Sequence, residues 1–85
     1  MDQDVQIHQR LTRELRPLFE MLMHNLDGMV NEKWLSLVQK TKKGVLTRPD
    51  QYISEQPDIS EREQSVIEDI FKDFIERMER SHSKS

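Results

Sequence analysis

Apolar residues recur at helical spacing in three stretches of the chain, and turn-forming residues separate them. The clearest stretch runs from Ser60 to Arg80. Within it Val66, Ile67, Ile70, Phe71, Phe74, Ile75 and Met78 follow one another at alternating spacings of one and three. At about 100° per residue they cover an arc of roughly 180°, wide enough to meet two neighbouring helices. Ser60 stands three residues before Glu63, the spacing of a capping box. Glu61 and Glu63 in the first turn, and Arg77 and Arg80 in the last, suit the helix dipole.

Towards the amino terminus, Ile7, Leu11, Leu15, Leu18 and Leu22 form a second stripe, with Phe19 beside them. Pro17 interrupts it. A proline there removes a backbone bond, so the helix either kinks near Arg13 or restarts at Pro17. The leucine phase passes Pro17 undisturbed, which favours the kink. His24-Asn25-Leu26-Asp27-Gly28 carries turn chemistry, and Asp27 is placed to cap the next helix. Met29 to Lys43 reads as that helix, with Val30, Trp34, Leu37 and Val38 on one face. Lys40, Lys42 and Lys43 close it, and Gly44 fits the position just after its end. Val45 to Ile59, with Pro49 and Pro57, is then a long connection. Such a segment needs anchors, and Val45, Leu46, Tyr52, Ile53 and Ile59 are placed to supply them. A single turn is expected over 50–54. The pattern predicts an all-α, small three-helix bundle in one domain, 1–85, with helices near 4–24, 28–43 and 60–80. The polar segment 81–85 is expected to be disordered.

Composition narrows the class. Leu, Ile, Val and Phe make up 22 of 85 residues, about 26% and above the roughly 20% below which disorder is expected. Alanine is absent, so helix faces meet through large side chains. Cysteine is absent too, which excludes disulfides, thiolate metal sites and cysteine nucleophiles. No apolar run spans a membrane and no signal-peptide pattern opens the chain, so a cytoplasmic protein is the expectation. The net charge of −3 opposes non-specific nucleic-acid binding by the whole molecule. It is unevenly spread: five acids and three bases over 1–30, two and five over 31–50, nine and five over 51–85.

The third helix holds Glu68, Asp69, Asp73, Glu76 and Glu79, but Lys72, Arg77 and Arg80 sit four residues after three of them. That pattern is a solvated, salt-bridged face, not an acid–base pair. His8, His24 and His82 lie too far apart for a helical metal motif. His24-Asn25-Leu26-Asp27-Gly28 resembles the His-x-Leu-Lys-Gly core of histidine phosphotransfer domains, over those five residues. The resemblance implies a four-helix bundle with an exposed, phospho-accepting His24. Asp27 replaces the lysine of that pattern, and a carboxylate there repels phosphate.

Arg10 and Arg13 on the first helix, with Lys40, Lys42, Lys43 and Arg48, form a candidate phosphate or nucleic-acid contact set, and Arg16 and Lys33 belong with them. Met21, Met23 and Met29 read as core filler more than as a binding surface. Phe71, Phe74, Ile75 and Met78 form the candidate partner-binding patch, and a homodimer through it is expected. Neither a nucleophile–base arrangement, a phosphate loop nor a cofactor motif is present. The expectation is a small non-enzymatic regulator or adaptor acting through protein–protein contacts. A nucleic-acid-binding regulator using 33–48 is the alternative, and phosphotransfer at His24 the third.

Overall fold

The chain enters its last helix through the expected capping box. The Glu63 amide donates to Ser60 Oγ at 3.1 Å, and the Ser60 amide donates to Glu63 Oε1 at 3.0 Å. Two of the helix's orphan donors are thereby satisfied. The computed structural model describes residues 2–26, 28–53 and 59–82. They form three helices, α1 (Asp2–His24), α2 (Glu32–Thr47) and α3 (Glu61–His82), with a 3-10 turn at Pro49–Gln51. No strand occurs among them, and α3 takes in Ser81 and His82, the first two residues of the segment expected to be disordered.

α1 is a single helix through Pro17, so the alternative of two short helices is ruled out. Pro17 is exposed, which leaves the buried leucine stripe in phase. The turn after α1 falls where the sequence places it, and Gly28 takes the positive φ of 90° that such a turn requires.

α2 lies four residues further along than the expected 28–43, at both ends. Its N-cap is Asn31: extended there, it accepts the Trp34 amide on Oδ1 at 2.9 Å. The expected cap, Asp27, lies outside the described residues. At the other end the helix runs through Gly44 to Thr47, and the Arg48 amide closes on the Gly44 carbonyl at 2.8 Å. An interior glycine costs about 1 kcal/mol relative to alanine. Continuing the helix buries Val45 completely, which returns about 1.5–3 kcal/mol. Burial wins, and the helix does not stop.

Sequence-distant contacts fix the directions of the helices. Arg10 pairs with Glu63, and Phe19 meets Phe71 and Phe74, so α1 and α3 run the same way. Trp34, at the start of α2, meets Phe74 in the second half of α3 and the end of α1, so α2 runs against both. The core is built from Leu11, Leu15, Phe19 and Leu22 of α1, Trp34, Val38 and Val45 of α2, and Ile67, Ile70, Phe71 and Met78 of α3. Ile53 plugs it from the connection. That connection, which starts only after Thr47, is pinned as its composition demands: Pro49 and Ile53 are buried, and Tyr52 and Ile59 are half-buried. The Ile53 amide reaches the Pro49 carbonyl at 2.7 Å, giving the short turn expected in this region.

Candidate functional site: a cationic strip on α2

The expected partner-binding patch on α3 mostly faces inward. Phe71 is 1% exposed and Met78 7%. Phe74 is half-buried, stacked on Phe19 with centroids 4.6 Å apart and tilted against Trp34 at 5.8 Å. Ile75 is half-buried and lines the groove between α2 and α3. The wide apolar arc is consumed by two intramolecular neighbours, because α3 packs on both other helices. The reason for expecting a homodimer goes with it. Conversely, Met21, Met23 and Met29, read as core filler, are 44–51% exposed. They flank the α1–α2 turn.

The six candidate phosphate-contact residues part company. Arg10 is committed to α3: its guanidinium donates to Glu63 Oε2 and stands 3.7 Å from Glu14. Arg13 is exposed on α1 and lines neither of the two grooves that hold Lys33, Lys40, Lys43 and Arg48. Lys42 turns towards α3, into a groove with Glu68, Asp69, Glu76 and Glu79. Lys40, Lys43 and Arg48 stay together. They line a groove with Gly44, Thr47, Gln51 and Tyr52. A second groove, lined by Asn25, Asn31, Lys33, Trp34, Ser36, Leu37 and Lys40, shares Lys40 with the first.

Helical geometry explains the sorting. Lys33, Lys40 and Thr47 are seven residues apart and lie within about 20° of one line on the helix, opposite the Trp34–Val38–Val45 core face. Ser36 and Lys43 lie beside that line. Lys42 is two residues from Lys40 and is carried to another side. The result is a strip about 22 Å long, from Lys33 to Arg48. No carboxylate lines either groove among the described residues. Elsewhere bases are interleaved with acids: Arg10 with Glu14 and Glu63, Arg16 with Glu20, Arg77 with Asp73. In a chain of net charge −3, this strip is a local field of opposite sign.

Two further features position the strip. Trp34 is 3% exposed, and its indole N–H donates to the Leu22 carbonyl in the last turn of α1 at 2.8 Å. That bond gives the buried indole its partner and holds the start of α2 against α1. At the other end of the bundle, the Ser60 amide holds the Glu63 carboxyl below its ordinary range, with Arg10 and the Ser60 hydroxyl adding to this against partial burial.

His24 is the last residue of α1 and is exposed. The described bundle has three helices, not the four that the phosphotransfer resemblance implies. No cluster of His, Asp and Glu able to hold a metal occurs among the described residues. No described helix is long and apolar enough to cross a membrane. Asn25, Asn31, Ser36 and Tyr52 carry no binding signal in the sequence beyond the seven-residue phase that Lys33 and Lys40 share. No protein family matches this chain, nor does any characterised protein or solved structure.

Proposed function

We propose that this chain is a small non-enzymatic regulator or adaptor that acts inside the cell through protein–protein contacts. The outward face of α2 is its contact surface, in place of the α3 patch. One observation carries this reading: Lys33, Lys40, Lys43 and Arg48 line a continuous strip free of carboxylates, on a molecule that is otherwise acidic or charge-balanced. Charge set in one place steers and selects a partner more than it stabilises the fold.

A photo-crosslinking residue at Ser36, inside the strip, tests the reading against one at Ser65, exposed on α3. The expected result is a discrete adduct from position 36 that Lys40→Glu abolishes and none from position 65. Equal labelling at both positions, or none at 36, refutes it.

The same cations support the second reading, a nucleic-acid-binding regulator. Four contacts predict that log K falls with log salt at a slope of about −3 to −4. A gel shift at low salt, and nuclease sensitivity of the position-36 adduct, separate that reading from the first.

A further inference from the structure

The geometry points to an acidic amphipathic helix of a partner protein as the occupant of the α2 strip, laid alongside Lys33, Lys40, Lys43 and Arg48. This rests on the reading of the chain as a protein-binding module and gives the partner its chemistry. The sign comes from the strip itself, which among the described lining residues holds four cations and no carboxylate.

The helical form comes from spacing. Lys33 and Lys40 are seven residues apart on a straight α-helix, about 10.5 Å. A second helix lying alongside presents carboxylates with the same repeat when acids recur every seven residues, as charged pairs do across coiled coils. An extended strand, at about 3.3 Å per residue, has no matching period.

The amphipathic character comes from the lining. Half-buried Leu37 lies beside the lysines, with half-buried Tyr52 at the far end. The strip therefore offers apolar contact beside its charges. Asn25, Asn31, Ser36, Thr47 and Gln51 supply neutral donors and acceptors along the rim.

A nucleic acid fits less well. Single strands are held by stacking on exposed aromatic rings, and here Trp34, Phe19 and Phe71 are buried while Tyr52 and Phe74 are half-buried. Four cations on a chain of net charge −3 are also few for a polyanion.

The probe is a labelled helical peptide of about 20 residues, with glutamates every seven residues and leucines on the adjoining face. Its controls are the same peptide with every glutamate replaced by glutamine, and labelled oligo-dT. Fluorescence anisotropy with the full chain is the readout. The acidic peptide is expected to bind and to weaken as salt rises, and the neutral peptide to bind at least about tenfold more weakly. Lys33→Glu with Lys40→Glu is expected to cost a further comparable factor, with unchanged circular dichroism. Ser36→Trp blocks the groove without touching charge, and it too is expected to abolish binding. Failure of the acidic peptide to bind, indifference to both variants, or tighter binding of oligo-dT overturns the inference. The two ideas fail separately. A protein adduct from position 36 with no acidic-peptide binding sinks the acidic helix alone, whereas no adduct sinks the adaptor reading.

Discussion

Gly44→Ala tests where α2 ends, and its sign alone decides. Were Gly44 the residue after the helix, in the left-handed region, alanine there would cost about 1–2 kcal/mol. In the structure Gly44 lies inside α2 and shows no positive φ, unlike Gly28. Alanine in a helix interior gains about 0.5–1 kcal/mol over glycine. The added methyl must also fit. A Cβ at Gly44 meets Tyr52 Oη at 3.5 Å, an ordinary contact, so nothing offsets the gain. For a chain of this size a urea slope of about 1 kcal/mol/M converts this to a midpoint about 0.5–1 M higher. Urea titration with circular dichroism of the helix band measures it. Gly28→Ala is the internal control: it meets open space, but its φ of 90° strains any side chain, so its midpoint falls. A lower midpoint for Gly44→Ala would mean that the helix stops at Lys43 and that Arg48 does not belong to the strip.

Three more outcomes are expected. Trp34→Phe loses the bond to the Leu22 carbonyl and part of the packing, so stability falls by about 1–3 kcal/mol in the same titration; free quenching of native tryptophan fluorescence by iodide would contradict its burial. Glu63 has a carboxyl lowered from its ordinary 4.5, so its contribution is present above that value and is lost as pH falls through the lower folded one; Glu63→Gln should flatten this part of an acid melt, and Ser60→Ala should cost about 0.5–2 kcal/mol at neutral pH. Light scattering after size exclusion should give a mass near 10.2 kDa, because Phe71 and Met78 are already covered; a mass twice that would restore the dimer.

The three helices were legible because their apolar residues carry a strong period, and α3 was legible to within a residue or two because Ser60 and Glu63 mark its start. α2 was misplaced because its signals are tertiary. Asn31 and Asp27 are both competent caps in sequence, and Gly44 stops a helix only when nothing beyond it is worth burying. Val45 was worth burying. The burial of Phe71 and Met78 on α3 is illegible for a related reason: periodicity shows how wide an apolar face is, not how much of it neighbours consume. The strip was half legible. Counting found a basic middle, but only the helical phase of α2 divides Lys40 from Lys42. Arg10 left the set because its partner, Glu63, lies 53 residues away.

That last pairing ties two events that are usually independent. Glu63 closes the first turn of α3 with one oxygen and receives Arg10 with the other. Fraying of the first turn of α3 therefore also loosens its hold on α1. Bringing the two ends of a 53-residue loop together costs about 3.5 kcal/mol in chain entropy, so this contact forms late, after the local turns. The amides of Ser60 and Glu63 should then exchange with solvent at the rate at which α1 and α3 separate, not at the faster rate of an ordinary helix end. In Arg10→Ala the two rates should come apart, with the first turn of α3 opening on its own while the core amides keep their protection.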